Sequence, residues 1–179
     1  MALKPTKDRN ELCYPYIYED SYLCDYEVAT DELCSLVGLI LSILPSGLED
    51  VKDDLEHLQP LMFHLNGSIR GRLAVTEDDL RWLHGRYDFY QTAVADRING
   101  FVLPQGSMPV PYFNMARSAA KKAIRYMVRV DQEGIEVPDI LHRYCNLLCN
   151  LFFVLTLYIN QHAGFEETPF ISKSYPKNL

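Results

Sequence analysis

The sequence has no apolar run long enough to cross a lipid bilayer. Its longest runs, residues 36–44 and 151–159, are shorter than the roughly 20 residues that a spanning helix needs. Residues 1–9 are polar and lack the apolar stretch of a secretory signal peptide. We therefore expect a cytoplasmic protein with no membrane partner.

Paired cysteines and several familiar catalytic motifs are also missing. Five cysteines cannot all be joined within one chain, and no CxxC motif occurs. Cys145 and Cys149 are spaced i, i+4, but no second pair stands at a spacing that would complete a zinc site. Neither HExxH nor a nucleophile elbow is present. The sequence thus predicts no metal site and buried free thiols at Cys13, Cys24, Cys34, Cys145 and Cys149.

Charge of one sign is scarce in one stretch of the chain and missing from another. The net charge is −7, and residues 11–56 contain twelve acids but only one base, Lys52. The acidic balance argues against nucleic-acid binding. Residues 107–130 show the reverse pattern, with no acid and five bases: Arg117, Lys121, Lys122, Arg125 and Arg129.

The bases at 117, 121, 125 and 129 follow an i, i+4 spacing, which places them on one face of a helix. Like charges at this spacing repel, so something must neutralise them. Two interpretations stay open: a solvated face paired with acids of the first half, or an anion site for a polyphosphate. The preceding loop, which contains Gly100, Pro104 and Gly106, favours the anion site because such loops often carry ligand contacts.

The spacing of apolar residues predicts five helices and an all-α, up-and-down five-helix bundle. We expect these helices at about residues 32–44, 46–66, 77–95, 109–130 and 138–162. The bundle domain would span residues 29–164, between a tyrosine- and acid-rich segment, 1–28, and a tail, 165–179. Residues 14–18 alternate like a short strand, but no partner strand is evident, so a segment packed over the bundle fits better.

Local signals predict where these helices begin, bend and end. Thr30 or Asp31 would cap the first helix, and Ser46 with Glu49 would form a capping box on the second. Thr76 would precede the third. Pro60 would kink the second helix, Pro138 would occupy the first position of the fifth, and Gly164 would follow its end.

Four blocks in order resemble one enzyme family. They are TDELCSLVG at 30–38, NGFVLPQG at 99–106, MARSAAKKA at 115–123 and YCNLLCNLFFVL at 144–155. Together they are similar to the motifs of the PduO-type ATP:cob(I)alamin adenosyltransferases. The resemblance covers about residues 29–161.

The resemblance implies a homotrimer of five-helix bundles with active sites between subunits. Its members transfer the 5′-deoxyadenosyl group of ATP to the cobalt of cob(I)alamin and release triphosphate. ATP, a corrinoid (cobalamin) and Mg²⁺ are therefore the expected ligands.

The resemblance also implies residue roles. Phe101 would displace the lower ligand of cobalt, leaving a four-coordinate metal that is easier to reduce, and Asp31 would pair with Arg117. The remaining expected ligand-binding residues are Lys121, Lys122, Arg125, Asn146 and Cys149. Structural roles remain open for several of them: a hydrophobic plug for Phe101, a helix cap for Asp31 and a core hydrogen bond for Asn146.

Several departures from the family pattern fall on the catalytic parts. Glycine is absent before Gly38, so the family's glycine-rich N-terminal loop, which cradles phosphate with backbone N–H groups, cannot form. Lysine replaces arginine at 121 and 122, and Ile124, Cys149 and Asn150 replace a glutamate, a serine and an aspartate. Two alternatives to an active enzyme follow: a silent relative that binds corrinoid or nucleotide, and a purely structural or interaction trimer.

Overall fold

The computed structural model describes residues 3–98 and 100–174 and confirms the all-α bundle. Its five helices are α1 (Tyr22–Ser42), α2 (Glu49–Gly67), α3 (Glu77–Ala93), α4 (Val110–Gln132) and α5 (Asp139–His162). Helix α1 packs against α2 and α4, while α5 packs against α3 and α4. Short 3-10 turns at Arg9–Glu11 and Ala95–Arg97 lie outside the bundle helices.

Helix α5 forms the centre of the core. Tyr144, Phe152 and Leu148 on this helix are fully buried, as is Phe113 on the neighbouring α4. Its mean hydropathy of 1.4 and its length would suit a membrane span, but 72% of the apolar window is buried inside the bundle. Burial of each large apolar side chain contributes about 1.5–3 kcal/mol, so this helix stabilises the fold from within.

Helix α1 begins earlier than the sequence predicts. Ser21 caps it: its Oγ accepts a hydrogen bond from Leu23 N at 3.1 Å and donates to Glu133 at 2.7 Å. The predicted caps at Thr30 and Asp31 are therefore wrong, because both residues lie inside the helix. The Thr30 hydroxyl instead donates back to the carbonyl oxygens of the preceding turn.

The other helix signals gave mixed results. Thr76 forms a capping box with Asp79 on α3, as part of the predicted start. The capping box predicted at Ser46 is wrong: Leu48 occupies the cap without a side-chain hydrogen bond. Gly164 follows α5 with a positive φ of 64°, which confirms the predicted end.

The N-terminal segment folds over the bundle through Arg70, as expected for a packed segment. Residues 15–18 form turns rather than the short extended piece considered from the sequence. The Arg70 guanidinium forms ion pairs with Glu19 at 2.5 Å and with the buried Glu27 at 2.7 Å, and lies 3.8 Å from the centre of the Tyr16 ring. One arginine therefore joins this segment to α1 and to the chain beyond α2.

Candidate functional site

The predicted basic stripe lies on the outer side of α4. The inner side of this helix carries mainly small buried residues, including Ala116, Ala120 and Ala123. Lys121, Lys122, Arg125 and Arg129 are exposed, and Arg117 is partly buried. We call these five residues the basic face.

Acids of the first half neutralise only one residue of the basic face among the described residues. Within the described residues, Lys122 alone forms an ion pair, between its Nζ and Glu32 Oε2 at 2.5 Å. Arg129 instead lies over the Tyr22 ring, 5.5 Å from its centre. The interpretation of these residues as a solvated face paired with acids is therefore wrong for most of them. Their unpaired positive charges suit an anionic ligand.

Arg117 is the most constrained member of the basic face. Its guanidinium carbon lies 5.4 Å from the centre of the Phe153 ring, and its buried Nε has no hydrogen-bond partner. A buried donor left unpaired costs about 1–3 kcal/mol, which is an observation that calls for a ligand or partner. The expected pair with Asp31 does not form within one chain among the described residues; Asp31 lies exposed on α1.

Cys149 lies beside the inner end of the basic face. Burial raises the pKa of its thiol, while the nearby charges of Lys121 and Arg117 act in the opposite direction. Burial also raises the pKa of Cys145, to about 12. The prediction of free thiols is confirmed, and four are buried as expected; Cys13 is exposed.

Asn146 lies on the exposed side of α5, one turn before Cys149. Its side-chain nitrogen donates to the His142 carbonyl at 2.8 Å, so it is not the core residue considered from the sequence. It lines an open cavity of about 440 Å³ together with Ile124 and Met127 of α4. The structure therefore places Asn146 next to Ile124, on a cavity that Phe101 does not line.

Phe101 projects from the loop that precedes α4, and its side chain is 76% exposed. The interpretation as a hydrophobic plug is therefore wrong. We call residues 100–108 the Phe101 loop. Its backbone is held near the ring: the Phe101 carbonyl accepts a hydrogen bond from Phe170 N at 2.8 Å, and Leu103 N donates to Thr168 O at 2.9 Å.

A cavity of about 390 Å³ connects the Phe101 loop to the basic face. Its walls combine Pro104 of the loop with Met115, Arg117 and Lys122 of α4, and Glu32 of α1. Apolar and cationic groups thus meet at one surface, which suits a ligand with both an apolar part and an anionic part.

The N-terminal segment does not replace the missing glycine-rich loop with a comparable backbone. Positive φ angles in the described residues occur only at Gly47, Gly100, Gly134 and Gly164. One cavity beside this segment has acids in its lining, among them Glu19, Asp20 and Asp25. The negative charge of these acids is unfavourable for binding phosphate.

Residues of the C-terminal segment belong to the site's surroundings and were missed by sequence reasoning. Glu167 contacts Arg97 and Asn160, and Thr168 contacts Gln105 of the Phe101 loop. Arg97 and Glu167 are 70 residues apart, so no local spacing could have paired them. The tail predicted at residues 165–179 therefore does more than follow the bundle, because it contacts the Phe101 loop.

The fold and this surface define a helical bundle with a basic helix face beside an exposed aromatic loop. The family model described as cobalamin adenosyltransferase matches residues 18–159, so the chain belongs to the cobalamin adenosyltransferase family. It is 29% identical over 159 residues to the corrinoid adenosyltransferase of Bacillus subtilis (strain 168), covering 85% of this chain and 81% of the relative.

Solved structures share the fold. A variant of the PduO-type ATP:corrinoid adenosyltransferase from Lactobacillus reuteri in complex with ATP matches with a TM-score of 0.76 and 22% identity, covering 86% of this chain and 89% of that one. Another variant of that enzyme, in complex with cobalamin and ATP, matches with a TM-score of 0.73 and 23% identity, covering 87% and 89%.

Proposed function

We propose that this protein transfers the 5′-deoxyadenosyl group of ATP to the cobalt of cob(I)alamin. The single observation that carries the proposal, beyond family membership, is the basic face: four of its five cations have no carboxylate partner within the described residues. Such a cluster repels itself unless an anion binds, and the triphosphate of ATP supplies that anion.

The proposed reaction is a displacement at the 5′ carbon of ATP. The cobalt of cob(I)alamin supplies an electron pair for the new Co–C bond, and the C5′–O bond breaks with its pair leaving on triphosphate. Arg117, Lys121, Lys122 and Arg125 would neutralise the negative charge of that leaving group. An external one-electron reductant must first convert cob(II)alamin to cob(I)alamin.

The remaining expected site residues would act on the two substrates. Phe101, exposed on its loop, would contact the corrinoid and displace the lower cobalt ligand. Asn146 would donate a hydrogen bond to the nucleotide, and Cys149, as a neutral thiol beside Lys121 and Arg117, would line the nucleotide side.

Mg²⁺ would bind mainly through the phosphates. The described residues contain no group of three or more His, Cys, Asp or Glu side chains placed to hold a metal. Mg²⁺ on a polyphosphate needs only one or two protein carboxylates, and Glu32, in contact with Lys122, is placed to supply one.

A homotrimer would complete the site. Asp31 is exposed and Arg117 has an unpartnered Nε, so each lacks a partner that a neighbouring copy could provide. We propose that Asp31 of one subunit pairs with Arg117 of the next. Free buried thiols suit the reducing cytoplasm, and no nucleic-acid partner is needed for this chemistry.

The test is an anaerobic assay with cob(II)alamin, ATP, Mg²⁺ and a chemical reductant. We expect the spectrum of four-coordinate cob(II)alamin on addition of protein and ATP, followed by adenosylcobalamin when the reductant is added. Corrinoid binding without product would instead support a silent relative. An unchanged spectrum with and without ATP would contradict both and leave a structural trimer.

A further inference from the structure

The segment after α5 forms backbone hydrogen bonds with the Phe101 loop. We call residues 165–170 the C-terminal clamp. Val102 and Pro169 form an antiparallel bridge, flanked by the hydrogen bonds from Phe170 N to the Phe101 carbonyl and from Leu103 N to Thr168 O. Backbone hydrogen bonds on both sides of one residue fix the path of the loop at the point where Phe101 projects.

Glu167 connects the C-terminal clamp to Arg97, which precedes the Phe101 loop, and through Asn160 to Gln105 within the loop. Its Oε2 lies 2.5 Å from Arg97 Nη2, just before the loop, and its Oε1 accepts from Asn160 Nδ2 at 3.2 Å. Asn160 also donates to the Gln105 carbonyl at 3.2 Å, inside the loop. The Arg97 and Glu167 side chains are only 15% and 10% exposed, so this pair is shielded from water and weakly screened.

The same residues also contact the anion side of the site. Gln105, Asn160 and Glu167 line a small cavity together with Arg117. A Cβ atom at Gly106 would overlap Asn160 Oδ1, so only glycine lets the loop approach α5 this closely. Any movement of the clamp would therefore change the position of Phe101 relative to Arg117.

We infer that Glu167 is a positioning residue that fixes Phe101 against the corrinoid. This inference rests on the proposed function. The Phe101 ring is 76% exposed and gains little from packing, so its position must come from the backbone anchors. Displacement of a metal ligand by an aromatic ring depends on position, and a misplacement of about 1 Å can cost a factor of about 100 in rate.

The test compares Glu167→Gln with Glu166→Gln, a substitution of the exposed neighbouring acid. Glu167→Gln keeps the size of the side chain and an oxygen for Asn160 but removes the charge that pairs with Arg97, whose hydrogen bond to the Phe165 carbonyl remains. At saturating ATP, we expect the variant to form a fraction of four-coordinate cob(II)alamin that is smaller than in the wild type by about tenfold or more. The Kd for ATP should stay within about twofold of the wild-type value. The backbone amides of Leu103 and Phe170, which form the hydrogen bonds between the loop and the clamp, should exchange hydrogen faster.

The outcomes separate this inference from the proposed function. A normal four-coordinate spectrum in Glu167→Gln, beside a responsive wild type, would overturn the positioning role alone. A wild type that never changes the cob(II)alamin spectrum would overturn the proposed function and the inference together. If Glu167→Gln fails to fold, Thr168→Ala removes only the 3.1 Å hydrogen bond to Gln105 and should shift both readouts in the same direction; no shift there would also overturn the inference.

Discussion

Phe101 and Arg117 are two of the residues whose features folding alone does not explain. Phe101 exposes a large aromatic ring, and Arg117 buries a donor with no partner. Each costs free energy in the isolated chain, because apolar surface stays in water and a polar group stays unpaired. Arg117 lines a cavity together with Pro104, which belongs to the same loop as Phe101, so a ligand that contacts both the loop and α4 would relieve both costs.

We predict that Phe101→Ala separates corrinoid chemistry from nucleotide binding. The four-coordinate cob(II)alamin signal should fall at least about tenfold, since the ring that would displace the lower ligand is removed, while the Kd for ATP stays within about twofold. Absorption spectroscopy and isothermal titration calorimetry measure the two effects.

Phe89→Ala is the matched control, because Phe89 is also an exposed phenylalanine, on α3. Both variants should keep their thermal midpoints nearly unchanged, since substitutions at exposed positions usually shift stability by no more than about 0.5 kcal/mol. An undiminished signal in Phe101→Ala would remove this residue from the mechanism.

At the scale of elements, local patterns predicted the helices better than their connections. Amphipathic spacing located all five helices, and the alanine-rich inner side of α4 correctly left the basic residues outside. The start of α1 was missed although Ser21 is a local N-cap residue that accepts a hydrogen bond from Leu23 N. Only the additional bond from Ser21 to Glu133, 112 residues away, lies beyond a local pattern. The basic face was predictable as a helical repeat, whereas the Arg97–Glu167 pair joins loops that share no periodicity.

The N-terminal segment should loosen in acid. The hydrogen bond from Arg70 lowers the pKa of Glu19 below its ordinary value of 4.5. A carboxyl with a lowered pKa in the folded state contributes stability above its ordinary pKa, and that contribution is lost as the pH falls through the lowered value. The protection of the amides of residues 13–20 against hydrogen exchange, relative to the intrinsic exchange rate at each pH, should therefore fall in that acidic window.

Two variants isolate the Glu19 contribution. Glu19→Gln should exchange faster even at neutral pH and lose most of the acid response, because the charged partner of Arg70 is gone. Asp20→Asn, which changes the adjacent exposed acid, should behave as the wild type does. Equal acid responses in all three proteins would show that another group controls the segment.

At the scale of the whole molecule, one chain presents an incomplete charge pattern. Acids cluster in the first third of the sequence, and the cations of α4 are mostly unpaired. Assembly of identical copies can match these surfaces, because each copy brings both signs. The proposed trimer is the arrangement in which Asp31 and Arg117 would each gain a partner.

We predict that charge reversal at either proposed interface residue weakens the trimer. Asp31→Arg or Arg117→Asp alone should raise the concentration at which the trimer dissociates by about tenfold or more, because each places like charges together. The double variant should recover much of the assembly, as sedimentation velocity would show. A monomeric wild type, or a double variant no better than the single ones, would contradict the proposed pair.

The inward and outward sides of α4 tolerate amino-acid substitutions to different degrees. Its inward side is fixed by close packing of Ala116, Ala120 and Ala123, whereas Lys121 and Lys122 point to solvent and leave the core untouched when they change. Mutations on the outward side thus change the stability of the fold very little, and selection for folding acts on them only weakly. Related chains could therefore change or lose their nucleotide contacts by substitution on this side and still fold and accumulate in the cell.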